Sequence, residues 1–181
     1  MGLMTETRTD IINEKFVLMI NNTLAMENAA VERLQTRLAE VILQDSKQQL
    51  QQHLDETREQ QKRLQQFIIN IGGNPTEERL GLPLPSYPQS IRKFMENSMT
   101  AEEWELKKVE EDLIIENAEI TCYNMLVQKA QIMNMSDAIP MLRQNLQEEE
   151  SMATWLKANT PAMLTQLWPK IEASIINSTK K

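Results

Sequence analysis

Glycine and aromatic residues are scarce in this chain of 181 residues, with 4 Gly, 3 Phe and 2 Tyr. The β-branched and aromatic residues that suit a pleated surface are too few for a sheet, while Leu, Gln, Glu, Met and Ala, all good helix formers, abound. A single cysteine, Cys122, allows no disulfide within the chain, which fits a reducing cytoplasm. With one histidine, His53, beside that cysteine, a structural zinc site of the usual kind is ruled out. Glycine-rich phosphate loops and nucleophile elbows are missing. No apolar run approaches the ~18 residues that a bilayer crossing demands. The polar start, Met1 to Asp10, lacks the apolar stretch of a signal peptide. Basic residues are outnumbered, 19 against 26 acidic, for a net charge of -7 and a pI near 4.9. Such a surface repels phosphate backbones, so neither nucleic acid nor membrane is an expected partner.

What is present is helical periodicity, in a chain long enough for one domain (1–181) with a full core. Phe16, Met19, Ile20, Leu24, Val31, Leu34, Leu38 and Val41 recur at the spacing of a first helix from about Asp10 to Leu43. Asp45 or Ser46 is placed to cap a second helix, Lys47 to Ile71, which Gly72-Gly73-Asn74-Pro75 terminates. Residues 76–100 form one long connection, where Leu82-Pro83-Leu84-Pro85-Ser86-Tyr87-Pro88 excludes regular helix and Ile91–Met99 suits a short one. Thr100-Ala101-Glu102-Glu103 reads as a capping box for a third long helix reaching about Ile132. Ser136-Asp137 opens a fourth, to Lys157, and Asn159-Thr160-Pro161 is expected to stop it and start a short fifth helix over about 161–178. Two antiparallel pairs joined by a long crossover, with a core over about 10–158, make an all-α four-helix bundle of ferritin-like type.

Carboxylates and a histidine three residues apart share one helix face, and several such faces turned inward can hold two metal ions. Glu27 interrupts the apolar stretch Leu24-Ala25-Met26 and Ala29-Ala30-Val31 mid-helix, where a bare buried carboxylate needs a partner. His53 and Glu56 stand at i and i+3 in the second helix, with Glu59 one step further. Glu116 and Glu119 share a face of the third helix, and Glu149 lies midway along the fourth. Each has a blander reading. His53 on a Gln-rich helix reads also as a surface or supporting group, and Glu148-Glu149-Glu150 as a solvated face. Cys122 is expected to be a small buried apolar residue, and Met133, Met135 and Met141 core filler. Tyr123 reads equally as a partner of a ligand carboxylate and as a core residue. Oxygen-rich ligation with at most one imidazole favours iron or manganese over zinc or copper.

These segments resemble the bacterial YciE/YciF-type proteins, a ferritin-like family linked to stress responses, over roughly residues 20–165. The likeness is carried by Ala25-Met26-Glu27, by His53-Leu54-Asp55-Glu56-Thr57 with Arg63-Leu64, and by Glu116-Asn117-Ala118-Glu119-Ile120-Thr121-Cys122-Tyr123. Leu146 to Leu156, through Glu148-Glu149-Glu150 and Trp155, completes it, and the YciE branch is the nearest in appearance. The resemblance implies a ferritin-like bundle, a homodimer, and a dinuclear centre of two Fe or Mn ions with ligand candidates Glu27, His53, Glu56, Glu116, Glu119 and Glu149. The chain departs from the pattern in three places. His53 precedes Glu56 where Glu-x-x-His is usual, Met152 stands where a second histidine would, and many relatives have His at the position of Asn117. Two functions follow as expectations. One is a cytoplasmic metal protein of the stress response that reacts with oxygen or peroxide. The other is a helical scaffold whose metal site is empty.

Overall fold

The computed structural model describes residues 8–178, which form helices and loops with no strand among them. Four long helices, α1 (Arg8–Glu40), α2 (Gln44–Asn70), α4 (Ala101–Ile132) and α5 (Ile139–Ser178), make the bundle. The short helix α3 (Gln89–Ser98) lies in the crossover, close to where the sequence places one. Contacts fix the directions. α1 runs against α2, with the Phe16 and Phe67 rings 6.1 Å apart at one end and Gln61 bonded to Asn28 further along. It also runs against α4, joining Glu27 to Tyr123 and, ten residues later, Arg37 to Asp112 and Glu105.

Because α2 ends where α1 begins and α4 starts beside the end of α1, the crossover must travel the length of the bundle. It does so along α1. Asn21 donates to the Asn74 carbonyl, Asn28 to the carbonyls of Thr76 and Glu78, and the Leu80 amide donates to the Ala25 carbonyl. Tyr87 then meets Lys107 of α4, whose ammonium lies 5.0 Å from the ring centre. Two antiparallel pairs with one long crossover form the ferritin-like arrangement.

Local chemistry explains most boundaries. The Thr100 hydroxyl accepts from the Glu103 amide while the Glu103 carboxylate accepts from the Thr100 amide, completing the expected capping box. Gly72, at φ 83°, lets the Gly73 amide reach back to the Ile68 carbonyl and close α2. Asn134, at φ 58°, does the same for α4, with the Met135 amide on the Ala130 carbonyl.

Two boundaries differ from expectation. α2 begins at Gln44 with Leu43 in the cap position and no side-chain cap, so neither Asp45 nor Ser46 plays that part. Leu43 is buried in the core, and that burial sets the start of the helix. The separate fifth helix expected over 161–178 is instead the continuation of α5, which carries Pro161 and Pro169 inside it. Pro161 cannot donate to the Lys157 carbonyl, and in the turn just ahead of it Asn159 and Thr160 donate side-chain hydrogen bonds to the Trp155 and Leu156 carbonyls.

The core is divided. One apolar cluster holds Phe16, Ile20, Leu24, Leu64, Ile68, Leu126 and Leu142, with Met133, Met135 and Met141 packed at its edge as filler. A second holds Leu34, Leu50, Leu54, Val109, Met152, Leu156 and Leu167. Leu167 is thus buried within the chain, whereas its neighbour Trp168 is exposed. Beside the second cluster the Arg37 guanidinium, 1% exposed, is held by Asp112 at 2.6 Å and Glu105 at 3.1 Å. Between the two clusters lies a layer of polar residues in mid-bundle.

Candidate metal centre

Each long helix contributes to this layer from its inward face. α1 supplies Glu27, α2 His53 and Gln60, α4 Glu116, Glu119 and Tyr123, and α5 Asn145 and Glu149. All eight are at most 3% exposed. His53 and Gln60 stand two turns apart on α2, and Glu116, Glu119 and Tyr123 follow at three and four residues on α4, so helical spacing alone aims each set inward.

The geometry centres on one imidazole. The His53 Nε2 lies 3.3 Å from a Glu116 oxygen and 3.5 Å from Glu149 Oε2. One ligand atom from each of His53, Glu116 and Glu149 fits within 4.8 Å of the other two. The opposite ring nitrogen, Nδ1, faces Glu56 Oε2 at 3.5 Å. Glu56 therefore stands on the far side of the ring from the buried carboxylates, at the edge of the layer. Glu59 is exposed and paired with Lys62, outside the layer altogether.

Glu27 and Glu119 complete the group of buried carboxylates. The Tyr123 hydroxyl donates to Glu27 Oε1 at 2.6 Å and accepts from Asn145 Nδ2 at 2.9 Å, so Tyr123 is both core residue and carboxylate partner. Gln60 Nε2 donates to Glu149 Oε1 at 2.5 Å. The sequence reading missed Gln60, Asn145 and Arg63, because carboxamides and an arginine on Gln-rich helices look like solvated surface. The only available signal was their spacing, with His53, Glu56, Gln60 and Arg63 falling on one stripe of α2. Cys122, expected to be buried, is exposed instead, one position round the helix from Tyr123.

Charge is the dominant feature. Burial, only partly offset by the Tyr123 hydrogen bond and His53, pushes the Glu27 carboxyl up to about 7. Burial, then repulsion from Glu149, Glu27 and Glu116, drives Glu119 well above the carboxylate range. Burial also raises Glu149 well above it, with His53 opposing and Glu116 and Glu27 adding to the rise. Burial disfavours the imidazolium of His53, yet the field and hydrogen bond of Glu116, with Glu56 and Glu149, outweigh it and hold the ring's pKa well above its usual value.

The layer thus gathers four carboxyl groups around one imidazole. Glu27 Oε2, Glu116 Oε2, Glu119 Oε1 and Glu149 Oε2 are buried without a hydrogen-bond partner. Orphaned acceptors in a low-dielectric interior are costly, and divalent cations satisfy both their charge and their lone pairs. The donor set, hard oxygens with one nitrogen, suits iron or manganese. The residues fit a metal centre.

The chain matches, over residues 12–167, the family described as a domain of unknown function, DUF892. It belongs to that family. No curated protein sequence matches the chain. Among solved structures, a protein of Xanthomonas campestris is 20% identical with a TM-score of 0.72, covering 89% of this chain and 99% of its own. YcfI of Rhodopseudomonas palustris is 21% identical with a TM-score of 0.63, over 87% of this chain and 97% of its own. The Escherichia coli stress protein YciF is 18% identical with a TM-score of 0.67, over 85% and 97%. At such identities these likenesses establish the helical fold that the DUF892 member shares with YciF.

Proposed function

We propose that this DUF892 protein is a dinuclear-metal protein of the bacterial stress response, holding two Fe or Mn ions in its mid-bundle layer and reacting with oxygen or peroxide. The observation that carries this reading is the buried triad of His53, Glu116 and Glu149, with ligand atoms within 4.8 Å of one another among further unpartnered carboxylates. His53 Nε2, Glu116 and Glu149 would hold one ion, and Glu27 and Glu119 would supply the further oxygens for a second. Glu56, facing Nδ1, would fix the ring's orientation and tautomer rather than bind metal. Iron or manganese bound there supplies electron transfer to an oxidant, chemistry that carboxylates and an imidazole do not perform themselves.

The side chains have their own tasks. Tyr123 and Gln60 hold Glu27 and Glu149 by single hydrogen bonds, fixing one oxygen of each and leaving the other free to ligate. The apolar clusters on either side keep bulk water from the layer and strengthen its electrostatics. The stress assignment draws on the likeness to YciF, and the segments around Glu119 and Trp155 support a reading nearest the YciE branch. A homodimer in the cytoplasm, with a small oxidant as its only ligand besides metal, completes the proposal. Among the described residues no helix is long and apolar enough to cross a membrane.

The test is metal content by mass spectrometry, on protein purified without chelator and again after anaerobic Fe(II) reconstitution. The expected result is two ions per chain, falling in Glu149→Ala. A ratio of one would reduce the site to the triad. A ratio of zero after reconstitution sinks the metal reading and leaves the scaffold alternative.

A further inference from the structure

The polar layer is covered on at least two sides. The crossover lies along α1, bonded to Ala25 and Asn28 on either side of Glu27. Between α1 and α4 the fully buried Tyr123 closes the layer by its bond to Glu27. The seam between α2 and α5 is different, because there polar side chains lead without interruption from the layer to solvent.

On that seam Gln60 Nε2 donates to two carboxylates at once, the buried Glu149 at 2.5 Å and the half-buried Glu148 at 3.0 Å. Glu148 and Glu149, adjacent in sequence, therefore face outward and inward and share one amide. Glu148 is also paired with the Arg63 guanidinium, which in turn donates through Nε to Asn145 Oδ1 at 2.7 Å. The side chains of Arg63 and Glu148 are 22% and 19% exposed, at the outer end of this chain of bonds. The other end of the same amide, Gln60 Oε1, is buried and without a hydrogen-bond partner. Glu56, 29% exposed, stands on the same stripe of α2.

We propose that divalent cations reach the centre through this α2/α5 seam, with Glu148 as the capturing carboxylate and Arg63 as the cation they displace. The inference rests on the metal reading above. In the metal-free protein the guanidinium supplies the positive charge that Glu148 needs and holds the seam shut. Glu148 would take up an arriving ion in exchange for Arg63, whose guanidinium would turn to solvent, and Gln60, bonded to both Glu148 and Glu149, would link the capturing carboxylate to the inner one beside His53. This ion pair is half-buried but open to solvent at its outer edge, so an arriving cation can compete for Glu148, and the local potential sets the rate of cation arrival. Arg63 and Glu148 are thus positioning residues for loading, not resident ligands.

The test is stopped-flow binding of Co(II), followed by its visible absorption, to the full-length protein freed of metal. Arg63→Gln is expected to load roughly three- to tenfold faster than wild type, and Glu148→Gln slower by a similar factor, each with unchanged final stoichiometry. Arg63→Lys, which keeps the charge, stays near wild type, and Arg92→Gln, removing the same charge from exposed α3, is unchanged. Wild-type rates in both seam variants overturn the proposal while leaving the metal centre intact. Lost stoichiometry in Glu148→Gln makes Glu148 a ligand and overturns its role in capture. Failure of the wild type to bind cobalt removes the metal reading and this one with it.

Discussion

Replacing Tyr123 by phenylalanine deletes one oxygen atom, and its consequence separates a core tyrosine from one that serves a ligand. The ring fills space in the first apolar cluster, so Tyr123→Phe keeps the packing and the fold. What it removes is the donor to Glu27 Oε1 and the acceptor for Asn145. Loss of a partner that orients a ligand weakens metal binding by about 10- to 100-fold, and a titration against a competing chelator measures it. An unchanged affinity would return Tyr123 to a purely structural role. At this scale the sequence was partly legible. Glu27 stood out because it broke an apolar run, and Glu116 and Glu119 because they share a helix face. Gln60 and Arg37 did not, because residue type alone does not mark a glutamine or arginine as buried. Its burial depends on partners such as Glu149, Asp112 and Glu105 that lie far away in sequence.

At the scale of elements, the helices and the crossover were legible wherever a local rule governs them. The Thr100 capping box, the glycine at the end of α2 and the proline-rich 82–88 segment all act through neighbouring residues. The α4–α5 turn was legible in part, since Ser136-Asp137 marks the 3₁₀ turn Ser136–Ala138 that leads into α5, whereas the left-handed Asn134 that closes α4 went unread. Pro161 was misleading for a physical reason. Proline suits a helix's first turn, so Asn159-Thr160-Pro161 reads as a boundary, whereas packing of Met163, Leu167 and Ile171 carries α5 straight through it. A prediction separates the two readings. Inside a continuous helix, Pro161→Ala restores a backbone donor and removes a steric clash, stabilising the protein by up to about 3 kcal/mol. At the start of a separate helix the same change would be neutral or unfavourable. Urea denaturation followed by far-UV circular dichroism distinguishes them.

For the whole molecule, the buried charge layer sets how stability varies with pH, and the presence of metal should change the sign of that dependence. Glu27 moves from 4.5 to about 7 on folding, so the folded chain holds this proton more tightly than the unfolded one. The stability it confers is fully present below pH 4.5 and is lost as pH rises through about 7. Burial moves Glu119 and Glu149 in the same direction. His53, raised well above 6.5 against its burial by Glu116, likewise contributes stability below that value and loses it as pH climbs. Glu56 at the rim of the layer opposes them. The His53 ring, with Nδ1 3.5 Å away, lowers the pKa of Glu56, so its contribution disappears on acidification. Metal-free protein is therefore expected to melt at progressively lower temperature between pH 5 and pH 8, contrary to the usual expectation that a paired-carboxylate protein weakens in acid. Metal ions compete with those same protons, so their stabilisation grows as the carboxylates ionise. With excess Mn(II) the decline should flatten or reverse over the same range. Thermal melts at fixed ionic strength, with chelator and with Mn(II), test both halves. Two parallel curves would mean that manganese binds outside the layer, and a chelated protein that gains stability toward pH 8 would mean that the four carboxylates are not buried together.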